Sequence, residues 1–532
     1  MPQSLAQLTF ERRGSDAADP LVTFVEVAAD GALMDERRSY ADLWARGQAL
    51  AVWLRAQGVA TGDRFAIMMN NHPEFVDAMV AAAIVGAVWV PIDSRTRGEK
   101  LQFMLDFAGC TGVIAAEYCA DSLAEVASAC TELRWTLLLG PGAMPKGMPG
   151  CSRMAGIGPA AVELPLAEFG PEHPMYMMFT SGTTGNPKAV IATHGEWMAA
   201  AHRSHIPLQQ GDRLYTGLSL THINAQSSLR MALGREVPVV ISRKFTKSRL
   251  WDILRAYNCT IFSLLGGMIP EVYAVPEKSD DADNPVRLIM SSGMPAHLWN
   301  EYRRRFGVAI QEGYGATEGG GGLLNPPGQG PVGSIGRAPP GLLAAVFDEN
   351  GNTCPPGVAG ELQMRPENGQ AKPVAYYRNE EAGRAKIRDG WFRTGDIVHM
   401  DSDGWFFFHH RAGGGVRRNG DFVNTALVES AISKSGMVDD VYVYGVPTAR
   451  NVAGEKALVA AIVAKPAARF DESVLLEHCR RTLERNDVPD IVQVLNAIPK
   501  TASEKPIERE AVALLRASGL VENYEARTAG TA

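Results

Sequence analysis

Residues 176–190 read YMMFTSGTTGNPKAV: a short apolar run followed by two glycines, four Ser/Thr hydroxyls and a lysine. Backbone N–H groups in a glycine-rich turn converge on a single anion, and hydroxyls add donors that adapt to phosphate oxygens. An ordinary structural turn has the same composition, so the stretch by itself leaves both readings open. It is not a Walker loop: counting five residues from Gly182 reaches Pro187, and Lys188 is followed by Ala189 rather than Ser or Thr.

Around this loop, helical and strand-like segments alternate. SYADLWARGQALAVWLRAQG has helical apolar spacing, opens on Ser39 as an N-cap and stops at Gly58; RFAIMM then reads as a strand. The rhythm repeats at FVDAMVAAAIVG with AVWVPI, and at KLQFMLDFAGC with TGVIAA. This predicts βαβ units, an α/β fold with parallel-type sheets covered by helices. The longest apolar run, Ala78–Val90, is too short to span a membrane and reads as a buried helix, a stop at Gly86 and a buried strand. From about residue 330 short apolar runs separated by turn signals predict a β-rich subdomain, with a hairpin at Asp403-Gly404.

With 532 residues the chain is expected to form two or three domains, and 46% hydrophobic with 21% charged residues is ordinary globular composition. A net charge of -7 gives no electrostatic reason to expect a nucleic-acid partner. Seven scattered cysteines without a C-x-x-C pair suggest neither zinc nor a disulfide framework, and with no signal-peptide pattern at the start a cytoplasmic location is expected. A formal G-x-G-x-x-G at Gly328, Gly330 and Gly333 is crowded by Pro326, Pro327 and Pro331 and opens no helix, so it is not read as a dinucleotide site. H-E-x-x-H and G-x-S-x-G are both absent.

Four stretches in order, TSGTTGNPK (180–188), EGYGATE (312–318), GWFRTGD (390–396) and PKTASEKP (499–506), resemble the adenylate-forming superfamily of acyl-CoA synthetases, peptide-synthetase adenylation domains and firefly luciferases. The resemblance implies a large N-terminal domain, residues 1–411, that binds ATP and an acid, and a small mobile α+β domain, residues 412–532, that carries a catalytic lysine. It implies that a carboxylate joins the α-phosphorus of ATP, pyrophosphate leaves, and the acyl group passes to a thiol. Thr180, Ser181, Gly182, Thr183, Thr184, Gly185 and Lys188 then match the loop that cradles the β- and γ-phosphates.

On the same resemblance, Glu312, Gly313, Tyr314, Gly315 and Thr317 match the nucleotide motif, with the Tyr314 ring against adenine and the Thr317 hydroxyl near the α-phosphate. Glu318, with Thr180, is the implied Mg²⁺ ligand, a hard oxygen donor suited to that ion. Ser292 and Gly293 fall where the family lines the other side of the adenine pocket. Asp396 matches the carboxylate that accepts both ribose hydroxyls, and Arg411 an arginine on ribose or phosphate. Lys505 matches the lysine that neutralises charge at the carboxylate and α-phosphate.

Three positions depart from the family pattern. Gly413 stands at the hinge where Asp or Lys is usual, Arg417 replaces a lysine, and Glu504 replaces the glycine ahead of Lys505. For the acid pocket the resemblance implies Leu218–Gln226, with His222 and Asn224, together with Gly267 and Gly319. No aspartate stands in Leu218–Gln226 to meet an amino-acid amine, which disfavours amino acids. HINAQ, RKFTKSRLWDIL and NPVRLIMSSGMPAHLWNEYRRRFG look most like the carnitine/crotonobetaine-CoA ligase branch. The expected function is an AMP-forming acid–thiol ligase using ATP, Mg²⁺, coenzyme A and a small-molecule carboxylic acid. A carrier-protein-loading adenylating enzyme and a non-catalytic nucleotide-binding homologue are the alternatives, and a homodimer is among the assemblies left open.

Overall fold

The computed structural model describes residues 2–15, 20–142, 146–180, 187–202, 206–266, 268–411, 416–418, 421–423, 425–447, 456–465, 470–483, 487–501 and 504–529. The chain divides into two compact units, Met1–Ser263 with Asn284–Leu288 and Pro373–Ala385, and Leu264–Asp283 with Ile289–Lys372 and Lys386–Ala532.

The first unit is built on a seven-stranded sheet in the order Cys151–Arg153, Trp135–Leu139, Cys110–Ala116, Arg64–Met68, Val88–Pro91, Pro174–Thr180 and Lys188–Thr193. Its neighbours run parallel except for the last pair, which is an antiparallel hairpin. The sheets are therefore mixed rather than purely parallel. Val88–Pro91 is buried at every position, as expected of a strand covered on both faces. Helix Tyr40–Ala56 starts with a reciprocal capping box between Ser39 and Asp42. It packs tightly on helix Pro73–Val85: a Cβ at Gly47 would lie 2.5 Å from Val80 Cγ1. Helix Pro73–Val85 is buried nearly all round, including Asp77, which pairs with Arg38, and ends at Gly86, φ 71°, a left-handed cap that glycine adopts without a Cβ clash. In a second sheet Leu214–Thr216, Val239–Ser242 and Val22–Val27 run parallel, and Leu33–Arg38 adds an antiparallel edge.

In the second unit, Ala309–Gly315 pairs antiparallel with Gly322–Asn325. A five-stranded antiparallel sheet follows, containing Leu342–Phe347, Gly360–Pro366, Trp391–Met400 and Phe406–Arg411, and the hairpin at Asp403-Gly404 forms as expected, with Gly404 at φ 83°. Gly328, Gly330 and Gly333 lie in a loop that feeds strand Leu342–Phe347 and opens no helix.

The C-terminal section has its own sheet, Val438–Val446, Ala457–Ala464 and Ile491–Val494. The middle strand shows period-two alternation: Leu458, Ala460 and Ile462 face one apolar cluster with Val428, Ile432 and Leu475, while Val459 and Ala461 face another with Tyr444, Ala511 and Leu515. All seven cysteines are free. Among the described residues no helix is long and apolar enough to cross a membrane.

Candidate active site

The strands that flank residues 181–187, Pro174–Thr180 and Lys188–Thr193, pair antiparallel. Thr180 stands directly across from Lys188, and its hydroxyl donates to the Lys188 carbonyl at 3.4 Å. The Lys188 ammonium lies 5.2 Å from the centre of the Tyr376 ring, a cation–π contact inside the same unit. Ser181, Gly182, Thr183, Thr184 and Gly185 lie outside the described residues, as do Gly267 and Gly413.

In the second unit the nucleotide motif occupies a strand and the turn after it, Glu312–Gly315 within Ala309–Gly315 and Thr317-Glu318 in the turn. Side chains alternate along this strand. Glu312 is 2% exposed and turns inward, where its carboxylate accepts from the backbone N–H of Gly293 and, at 3.1 Å, of Met294. Burial pushes its pKa up; the backbone hydrogen bonds from Gly293 and Met294 act against that shift. Glu312 therefore organises the Ser292-Gly293 segment. Gly293, at φ 94°, comes against Gly266: a Cβ added at Gly293 would lie 3.2 Å from the Gly266 Cα. Gly266 N–H also donates to the Ser292 carbonyl at 2.9 Å.

Tyr314, two residues on, shares that face of the strand, and its hydroxyl donates to Asp396 Oδ2. A bulge sets the Asp396 position. Between the pairs Glu361↔Ile397 and Gln363↔Arg393, three residues, Thr394–Asp396, stand opposite the single Leu362. The bulge is tied down by Thr394 Oγ1 donating to the Leu362 carbonyl at 2.7 Å, Asp396 N–H donating to Thr394 Oγ1 at 3.0 Å, and Gly395 N–H donating to Glu361 Oε1 at 3.0 Å. Gly395 has φ 77°, which explains the glycine in GWFRTGD. Arg411 is the register partner of Asp396 on the adjacent strand.

Of the glycines after Glu318, Gly319 faces open space. A Cβ on Gly320 would meet Phe392 at 2.1 Å and one on Gly321 would meet Leu342 at 2.6 Å. A Cβ on Gly322 would meet the Tyr314 carbonyl oxygen at 2.7 Å, so EGGGG opens room at one position and serves close packing at the next three.

His222 is the N-cap of helix Ile223–Arg235, and Asn224 lies in its first turn. Both are half-buried, and the His222 side chain makes no capping hydrogen bond. Lys505 is exposed, and its main chain exchanges two hydrogen bonds with Thr501: Thr501 N–H to the Lys505 carbonyl at 2.7 Å and Lys505 N–H to Thr501 Oγ1 at 3.1 Å. Glu504 has φ 59°, so the position where the family pattern has glycine is a left-handed one. Sequence reading missed Lys500 in the same motif: its ammonium lies 2.7 Å from Asp440 and 3.2 Å from Glu271.

Residues 23–370 match the AMP-binding enzyme family, and residues 427–505 match the AMP-binding enzyme C-terminal domain. The chain belongs to the AMP-binding enzymes. Among the relatives of this family member, "Long-chain-fatty-acid--CoA ligase FadD13" of Mycobacterium tuberculosis is 30% identical, over 88% of this chain and 92% of the relative. "Crotonobetaine/carnitine--CoA ligase" of Salmonella typhi is 27% identical, over 85% of this chain and 88% of that one. A solved Mycobacterium tuberculosis fatty acyl CoA synthetase superimposes with TM-score 0.67 at 26% identity, covering 97% of this chain and 99% of that one. An anthranilate CoA ligase in complex with anthranoyl-AMP gives TM-score 0.82 at 21% identity, covering 97% and 99%, a likeness of fold. The AMP-binding fold is α/β with mixed sheets and a separate C-terminal domain.

Proposed function

We propose that the chain is an ATP-dependent, AMP-forming acid–thiol ligase that activates a carboxylic acid and transfers it to coenzyme A. The observation that carries the reading is the meeting of Tyr314 and Asp396, 82 residues apart in sequence, in the second unit. It pairs an aromatic face with a carboxylate, the two groups that would hold adenine and ribose. In the first half-reaction a carboxylate oxygen bonds to the α-phosphorus and the bond to pyrophosphate breaks. In the second, the thiol sulfur bonds to the acyl carbon, AMP departs with the electron pair, and the thiol proton goes to solvent.

Role by role, the loop Thr180–Lys188 would hold the leaving pyrophosphate. Tyr314, with the segment Ser292-Gly293 braced by Glu312, would hold adenine; Asp396 and Arg411 the ribose; Thr317 the α-phosphate; and Lys505 would neutralise charge as it develops. Among the described residues no group of three or more His, Cys, Asp or Glu side chains is built to hold a metal. Mg²⁺ typically takes one or two protein oxygens and completes its shell with phosphate and water. Glu318 and Thr180 supply hard oxygens of that kind, so the donor set fits a metal carried with the nucleotide, where it would neutralise phosphate charge.

The division at residues 411 and 412, with rotation about Gly413, is proposed as the means by which Lys505 serves the first step and withdraws for the second. Support for a small carboxylic acid without an amine comes from Thr221, His222 and Asn224 in Leu218–Gln226, the segment proposed as pocket wall, where no aspartate stands. A cytoplasmic location fits seven free thiols. The test is product analysis with ATP, Mg²⁺ and octanoate, benzoate or isobutyrate, with and without coenzyme A. Acid-dependent pyrophosphate and AMP followed by a CoA-dependent thioester is the expected result; ADP or free phosphate as product would overturn the reading.

A further inference from the structure

We infer that Asn71 is a positioning residue for the acid pocket, holding in place the chain segment that presents His222. The inference rests on the proposed assignment of Leu218–Gln226 to the pocket wall. Asn71 lies in the loop between strand Arg64–Met68 and helix Pro73–Val85 and is 2% exposed. Its Nδ2 donates to two carbonyls, Leu218 at 2.8 Å and Ser242 at 2.9 Å, while its Oδ1 accepts from Leu220 N–H at 2.8 Å. Two carbonyls on one side and an N–H on the other admit a single amide orientation.

These partners lie in different chain segments. Ser242 ends strand Val239–Ser242, and Leu218 follows the parallel strand Leu214–Thr216, so Asn71 clamps the carboxyl ends of two neighbouring parallel strands. Ligands of open α/β sheets bind at such ends. A second clamp acts from the helix side. Gln226, 1% exposed, donates from Nε2 to the Leu220 carbonyl at 2.7 Å. Leu220 is thus gripped at its N–H by Asn71 and at its carbonyl by Gln226, and Ser219 and Thr221 join their hydroxyls at 2.8 Å. His222 follows two residues after Leu220 and opens helix Ile223–Arg235. Its backbone entry angle is therefore set by a side chain about 150 residues earlier in the sequence. Asn71 touches no reacting atom in this account; a side chain of similar volume without its amide would leave the segment free to shift.

The experiment compares Asn71→Ala, Gln226→Met, His222→Ala and Leu101→Ala. Leu101→Ala is the stability control, since Leu101 is buried in the apolar cluster on the seven-stranded sheet. The assay is pyrophosphate exchange with whichever of octanoate, benzoate and isobutyrate the unaltered enzyme uses best. Asn71→Ala is expected to raise the acid KM roughly tenfold or more and to change the preference among the three acids, with the ATP KM held within about twofold. Gln226→Met should move the acid KM the same way by less, and it carries the test if Asn71→Ala does not fold. Leu101→Ala should lower melting temperature and leave the acid KM in place. An acid KM unmoved in the Asn71 and Gln226 variants, while His222→Ala moves it, overturns the positioning role and keeps the pocket. Equal KM changes in Asn71→Ala and Leu101→Ala overturn it as well, by reducing it to stability. If His222→Ala leaves both acid KM and acid preference untouched, the pocket assignment fails and the inference falls with it.

Discussion

The hydroxyl of Tyr314 donates a hydrogen bond to the carboxylate of Asp396, which is 8% exposed at the crest of a strand bulge. The tyrosine thus orients the acid proposed to receive both ribose hydroxyls. Tyr314→Phe keeps the aromatic face and removes only the donor. A hydrogen bond to a charged group contributes about 1.5–3 kcal/mol, so we expect the ATP KM to rise about tenfold. Pyrophosphate exchange at varied ATP measures it, and an unchanged KM would contradict the pairing's proposed purpose.

Lys505→Ala is expected to lower acyl-adenylate formation by about a thousandfold, the scale of removing one preorganised charge donor at a transition state. Thioester formation from supplied acyl-adenylate should stay within about threefold of the unaltered rate. Equal losses in the two half-reactions would remove the lysine from its assigned step.

Glu504 occupies a left-handed position, φ 59°, in the turn that Thr501 closes around Lys505. A side chain with a Cβ costs about 1–2 kcal/mol there, partly offset by the greater unfolded-state freedom of glycine. Glu504→Gly should therefore stabilise the protein by about 0.5–1 kcal/mol in urea unfolding; a destabilised variant would show that Glu504 makes contacts that outweigh its backbone strain.

Lys500 is 11% exposed and bridges Asp440 of strand Val438–Val446 and Glu271 of helix Met268–Tyr273. Its pKa is raised: burial pulls it down, and the two carboxylates more than compensate. Lys500→Met would leave both acids without this cation. Both are partly solvated, so the loss should be about 1–3 kcal/mol, below the range for fully buried pairs. The urea midpoint tests this, with Lys500→Arg expected to restore part of the loss.

Glu429 accepts from Val443 N–H at 2.8 Å, and burial pushes its pKa from 4.5 up to about 8. The folded state then keeps a proton that the unfolded chain releases near pH 4.5. Its contribution to stability is full below that pH and is lost as pH rises through about 8, with a slope of up to about 1.4 kcal/mol per pH unit. Glu429→Gln keeps the acceptor and removes the titration. Melting curves between pH 5 and 8 should show a shallower decline for the variant; parallel curves would rule this out.

Local patterns of the sequence carried much of this protein. The capping box at Ser39, the stop at Gly86, the hairpin at Gly404 and the alternation of helices and strands follow from periodicity, capping and turn chemistry within a few residues. Four short motifs also named the family and most of the residues proposed to act. The antiparallel edges of the sheets were less legible, because a short apolar run carries no sign of its neighbour's direction.

Tertiary structure decided which of those residues meet, and which partner each one finds. Glu312 and Tyr314 share one motif and one face of a strand, yet Glu312 meets the backbone of Gly293 and Met294 while Tyr314 reaches Asp396. Asp396 is presented by a bulge that depends on Glu361 and Leu362, some thirty residues earlier. Asn71 grips Leu218 and Leu220 from a different strand end altogether. Backbone propensity acts over one turn or one strand, whereas a buried side-chain amide or carboxylate is satisfied by whatever main-chain groups the fold brings to it, and those partners have no fixed spacing in the chain.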